Sequence, residues 1–346
     1  MTEPSRERSP RWSWHYDESD ASFGDLIAEC ERVLDGHPSI AEIGHYSVGG
    51  PDLLVLGREP ADPSDGRSDG AFAERMASPG AALVEWTRAR EREMAPLDTG
   101  DLLRVVVEYE TKGHYAARIK PGHYLAASTY PGDGARSTAD LDAAMGGLLN
   151  RIRVHLLHRP AEPVGVGRAG ELPPPERTGK EVFAHRDVAE LFWSAPFTEN
   201  LHPEDLQYVA YHRNWSQICA ADNLDGLPER YFFARNTAPA SLRRGWDSLL
   251  RTLRRPLEDL PYHLRRPWQD KDIRERLGGD WPTEPTDPGR LQRLILDVQD
   301  GAYFVDGTSA PGDLLVGATL NQDRVDEAGE RLRRLRVQLT ESGALF

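Results

Sequence analysis

The sequence predicts an α+β protein built from antiparallel, ferredoxin-like sheet units with helices, and three observations carry that class. Alternating, β-branched runs recur, as at residues 102–109 and 314–320. Amphipathic stripes at helical spacing lie between them, clearest over 241–259, where Leu242, Trp246, Leu249, Leu250, Leu253 and Leu257 share one face. The opening elements run strand, helix, strand, strand, which is how a ferredoxin-like unit begins.

A polar arm over 1–11 precedes the main domain, 12–346. Trp12-Ser13-Trp14-His15-Tyr16 alternates like a strand. Ser22 and Asp25 form a capping-box-like pair ahead of Phe23, Leu26, Ile27, Cys30 and Leu34, so a helix is expected to about residue 35. Strands follow at 40–46 and 52–57, turning around Gly49-Gly50-Pro51, where glycine permits positive φ and proline presets a turn residue. Residues 58–70 are loop. Two helical pieces broken at Ser78-Pro79-Gly80 come next, then the strand 102–109 and one more at either 115–119 or 124–128. Leu141, Met145, Leu148, Ile152 and Leu156 mark a helix. Prolines at 160, 163 and 173–175 make 159–179 the linker candidate and a subdomain break. Beyond it the reading is mainly helical: a helix at 203–221 from Tyr208, Tyr211, Trp215 and Ile218, the helix at 241–259, and another at 290–298. Residues 261–288 read as irregular. Strands at 302–305 and 314–320 and a helix over 325–339 close the chain, and no repeat of 20–50 residues is visible.

Composition narrows the partners. A net charge of −14 disfavours a nucleic-acid groove or an anionic membrane surface, and fits an ordinary soluble protein about as well as one that binds a basic ligand. No apolar run approaches a membrane span and the first ten residues lack a signal-peptide core, so a cytoplasmic location is expected. The two cysteines, Cys30 and Cys219, fall in helical patterns and form no Cys-x-x-Cys pair, which reads as two buried thiols.

Little chemistry follows from spacing. Gly165–Gly170 spells Gly-x-Gly-x-x-Gly, but Pro173-Pro174-Pro175 forbids the helix a dinucleotide site needs. His114 and His123 lie nine apart, and His155 and His158 three apart, without a zinc motif. Two polar clusters have the groups for proton transfer: Tyr109-Glu110 with His114-Tyr115, and His185-Arg186-Asp187 before a helical stretch containing residues 189–193. Taken from the residues alone, capping and solvation account for both more readily than catalysis does.

Three segments in order resemble the elimination domain of lantibiotic dehydratases and its thiopeptide relatives. They are the Trp14-His15 strand with the hairpin Ile43–Leu56, the helix segment Leu242-Arg243-Arg244-Gly245-Trp246-Asp247, and Leu314–Arg324 before the terminal helix. In that family, hairpin arginines hold glutamyl carboxylates and a histidine before Asn-Arg is the base. Here His45 takes an arginine's place, Asp52-Leu53-Leu54-Val55-Leu56 replaces His-Leu-Arg-Leu-Arg, and Gly317 falls at the base.

Those departures make the chain more similar to the standalone pyridine synthases of the same fold. The resemblance implies a formal aza-[4+2] cycloaddition of two dehydroalanines in a modified precursor peptide, with loss of water and leader. It implies no metal and no other cofactor, while the acidic charge argues against a nucleic-acid or membrane partner. On that reading the proton-moving candidates are His45, Tyr46, His114, Tyr115, His185 and Asp187, with Asn321 and Arg324 as structural or substrate-positioning groups. The alternatives are a glutamate-eliminating partner of a split dehydratase and a non-catalytic leader-peptide-binding subunit.

Overall fold

The computed structural model describes residues 13–15, 21–47, 50–57, 70–132, 134–161, 181–184, 194–228, 230–233, 237–264, 289–308, 310 and 312–342. The arm 1–11, residues 162–179 of the linker candidate, residues 185–193 with His185 and Asp187, and residues 265–288 lie outside them. The class is α+β with an antiparallel sheet.

Chain order is β1 (Ser13–His15), α1 (Ala21–Gly36), β2 (Ile40–Ser47), β3 (Gly50–Leu56), α2 (Gly70–Met94), β4 (Leu102–Tyr109), β5 (Gly113–Lys120), β6 (His123–Thr129) and α3 (Gly134–Arg151). The same series then repeats: β7 (Glu181–Ala184), α4 (Ser194–Asn200), β8 (Tyr208–Arg213), β9 (Ser216–Asp222), α5 (Pro239–His263), β10 (Leu291–Val298), β11 (Gly301–Gly307), β12 (Leu314–Thr319) and α6 (Val325–Glu341). Among the described residues all twelve strands form one sheet ordered β1-β3-β2-β6-β5-β4-β10-β11-β12-β8-β9-β7. That order is unchanged when the two halves are exchanged, so the chain is an internal duplication about a pseudo-twofold axis between β4 and β10. The repeat is far longer than 20–50 residues and shows in the order of elements.

Three cores follow from this layering. Helices α2 and α5 cover one face of the whole sheet with Val84, Trp86, Trp246, Leu250 and Leu253. On the opposite face α1 and α3 cover the first half, through Cys30, Leu34, Leu141 and Leu148. Helices α4 and α6 cover the second half there, through Phe197, Leu332 and Leu335.

The seam on this second face is ionic. Val106 pairs with Ile295 in the register, flanked by Arg104 opposite Asp297 and Arg293 opposite Glu108. Arg104 is fully buried and donates from Nε to Asp297 at 2.6 Å and from Nη1 to Asp142 of α3. Burial opposes its charge, but Asp142 and Asp297 outweigh that and push the guanidinium pKa above its ordinary value. Arg293 grips Asp306 with two bonds, 2.7 and 2.6 Å, and Gly329 O at 3.1 Å.

Four expectations change. Residues 203–221 form the hairpin β8–β9 and not a helix, so Cys219 lies in a strand. Its turn residues Asn214 and Trp215 both have positive φ, 50° and 66°, as a two-residue type I′ turn requires. Residues 291–298 are the strand β10, bonded on both sides by β4 and β11, where tertiary pairing overrides an ambiguous apolar pattern. Both 113–120 and 123–129 are strands, where one was expected. Finally, α2 runs unbroken through Pro79. Tyr46 braces this stretch against the sheet: its hydroxyl donates to Ala77 O at 3.1 Å and its ring lies within 2.7 Å of where a Cβ on Gly44 would stand. A Cβ on Gly80 would overlap that hydroxyl, so glycine is what lets the helix sit this close to the sheet.

Candidate functional sites

The first site gathers on three neighbouring strands, β3-β2-β6, beneath α1. His45 on β2 places Nδ1 3.0 Å from Asp52 Oδ2 and Nε2 3.3 Å from His123 Nδ1. The imidazoles stack with centroids 5.3 Å apart, and Phe23 of α1 meets His45 edge-on at 6.4 Å. Ser47 donates to the other Asp52 oxygen at 2.9 Å. A β-bulge between His45 and Tyr46 makes this possible. Leu53 already faces the α1 side, so in a regular strand Asp52 would face away; the extra residue turns it onto the histidine's face. Burial alone would raise the Asp52 pKa, but hydrogen bonds from His45 and Ser47 bring it below the ordinary carboxylate value. His123 is shifted down by burial and by the neighbouring charges of Lys120 and His45. His45, Asp52 and His123 offer donor atoms all within 4.8 Å of one another.

The duplication supplies an internal comparison. The bulge recurs between Tyr211 and His212. There Tyr211 occupies the position of His45, and Asp313 that of His123. Tyr211 donates to Asp313 Oδ2 at 2.9 Å. A polar pair closes this corner in both halves, but only the first half uses two imidazoles.

The other predicted site residues lie elsewhere. Tyr46 points to the α2 face, away from His45. His114 and Tyr115 are adjacent on β5 and so face opposite ways. His114 is buried with Nδ1 2.9 Å from Ser128 Oγ and its ring edge-to-face with Tyr109. Tyr115 sits in the α1–α3 core, where burial pushes its phenol pKa upward. Asn321 accepts from Asp323 N at 3.2 Å and donates to Glu204 O at 2.9 Å, capping the turn before α6. Arg324 is exposed and pairs with Glu327 at 2.8 Å. Gly317 lies in β12, where a Cβ would meet Leu206 and Leu332 at 3.0 and 3.1 Å, inside the α4–α6 core. His123 joins His45 across 78 residues of sequence, which no spacing motif could reveal.

The second site was not legible in the sequence. A cleft of about 270 Å³ opens between α5 and the β8–β9 hairpin. Tyr208, Gln217 and Ala220 line its strand side, and Asp222, Arg243, Arg244 and Asp247 complete it. Tyr208 is held by Trp246, 4.8 Å away between centroids. Arg243 forks onto Asp222 with bonds of 2.7 and 2.6 Å, and a third bond ties it to Asp225. Those two aspartates push the Arg243 pKa upward. Asp247 uses Oδ2 for Arg251 at 2.6 Å. Its Oδ1 is buried and has no hydrogen-bond partner among the described residues.

Fold and sites together define a class: a duplicated antiparallel α+β protein with a polar corner in each half and a cleft under a long helix. No family model matches the chain, and no curated protein matches it. Among solved structures it is similar to a Roadblock/LC7 domain from Streptomyces avermitilis, with 20% identity and a TM-score of 0.27, over 38% of this chain and 97% of that one. It is also similar to MglC from Myxococcus xanthus, with 17% identity and a TM-score of 0.23, over 37% and 97% of the respective chains. No helix among the described residues is long and apolar enough to cross a membrane.

Proposed function

We propose that this protein is a non-catalytic binding module that holds a polypeptide by a basic side chain seated in the α5 cleft. The observation that carries this is the buried Asp247 Oδ1, which has no hydrogen-bond partner among the described residues, because a buried acceptor without a donor is costly unless a ligand supplies one. Tyr208 and Ala220 offer apolar surface to the stem of a lysine or arginine, and Asp247 receives its head. The net charge of −14 favours approach of a basic partner. The test is selection of a random-peptide display library on the full chain, followed by binding measurements on the enriched peptides. Enriched peptides should carry a lysine or arginine, and Asp247→Asn should weaken them about tenfold or more, the worth of one charge-assisted hydrogen bond. Peptides that bind the variant equally well, or no enrichment at all, would sink this reading.

A second reading, the pyridine synthase of a thiopeptide pathway acting on a cytoplasmic precursor peptide, is favoured by one observation. His45 and His123 face each other beside Asp52, a pair able to move a proton during aromatisation. It requires that a dehydrated, azole-bearing precursor lose leader and water on incubation. An unchanged precursor mass would count against it.

A further inference from the structure

The geometry points to a divalent transition-metal site, best suited to zinc, at the corner formed by His45, His123 and Asp52. Two nitrogens that are each about 2.0 Å from a tetrahedral zinc lie about 3.3 Å from each other. The Nε2 of His45 and the Nδ1 of His123 are 3.3 Å apart. Asp52 sits 3.0 Å from the remaining nitrogen of His45. From there the carboxylate faces Nδ1 at ion-pair distance, which favours the tautomer protonated on Nδ1 and leaves the Nε2 lone pair for the metal, as carboxylates beside ligating histidines do in many zinc sites. Ser47, donating to the far oxygen of Asp52, fixes the carboxylate in turn. The donors stand on paired strands and not on a loop, so their spacing is held by the sheet ladder.

Two further facts separate this from an ordinary polar corner. The equivalent positions of the second half carry a tyrosine and an aspartate joined by a direct hydrogen bond, so the fold itself does not call for facing imidazoles. Two imidazoles this close repel when both are protonated, whereas a cation between them turns the same proximity into ligation. Asp52 and His123 are only partly buried, so the remaining coordination positions face solvent and would hold water or a ligand carboxylate. The site lies beneath α1, on the opposite face of the sheet from the α5 cleft, and does not depend on the binding reading above.

Zinc titration of the metal-free full chain by calorimetry tests this, with cobalt(II) as the visible-absorption reporter of low coordination number. The wild type should take up one equivalent at a dissociation constant of about 10 μM or tighter. His123→Ala should weaken uptake about a hundredfold and Asp52→Asn about tenfold, as losses of a ligand and of its orienting partner. Zinc should raise the melting temperature of the wild type and not of His123→Ala. Should His123→Ala fail to fold, His123→Gln and His45→Gln provide the same comparison with side chains that pack. Absence of uptake by the wild type at about 100 μM zinc would leave a histidine–histidine hydrogen bond only and overturn the proposal. Equal uptake by the wild type and the folded histidine variants would do the same, by placing the metal on other histidines.

Discussion

Arg104→Ala should destabilise the protein by about 3–5 kcal/mol in urea unfolding, the range for removing one partner of a buried ion pair. Arg104 has no exposed surface, and neither has Asp297, its partner across the seam. Removing the guanidinium strands that carboxylate at the pseudo-twofold axis, together with Asp142 from α3. The loss falls where the two halves of the sheet join, so the halves should lose cooperativity as well as stability. The comparison that isolates the cause replaces all three groups, Arg104→Met with Asp142→Leu and Asp297→Leu. Because desolvation consumes most of what a buried pair gains, that triple variant should recover most of the loss. As a control, Arg254→Ala removes only an exposed pair with Glu258 and should cost less than about 0.5 kcal/mol. A loss below about 1 kcal/mol for Arg104→Ala would mean that the seam is held by its backbone ladder and not by these charges.

Trp246→Ala should cost a similar amount, about 3–5 kcal/mol, for a different reason. The indole is 2% exposed, packs on Tyr208 and lies in the core shared by α5 and the sheet. Its removal leaves a cavity whose walls are strands and a long helix, which cannot collapse readily. The backbone carbonyl of Trp246 also accepts from the Tyr303 hydroxyl at 3.1 Å, a bond that any side chain can retain. Trp246→Phe should therefore keep more than half of the stability lost in the alanine variant. Tyr208 lines the cleft and leans on this indole, so affinity for a basic peptide should fall in Trp246→Ala even where the protein is still folded. Unchanged affinity in the folded variant would separate the cleft from the packing beneath it.

The long amphipathic helices and the strongest strands were legible because their signal is local. The stripe from Leu242 to Leu257 is a helix in the structure, and Leu102–Tyr109 and Leu314–Thr319 are strands. The hairpin β8–β9 was misread because Tyr208, Tyr211, Trp215 and Ile218 fall at a helical period by coincidence of a bulge and a two-residue turn. Strand β10 is ambiguous in sequence because its second face carries Arg293, Ile295 and Asp297 in turn, so the run Leu294-Ile295-Leu296 interrupts the alternation. Of the candidate site residues in the described part of the chain, His45 and Tyr46 prove the general point. They are neighbours in sequence, yet one meets His123 and Asp52 while the other fills the gap between Gly44 and Gly80.

By itself the sequence determined the α+β class, the main helices, the acidic surface and the first hairpin, since each depends on residue type and near-neighbour spacing. Only the tertiary structure decided that the chain is a duplication, that charge closes its seam, that His123 reaches His45 and that Asp247 lines a cleft. Each of those rests on strand register or on contacts between residues far apart in the chain. Register is set by the joint packing of both sheet faces, and no local pattern of residues encodes it.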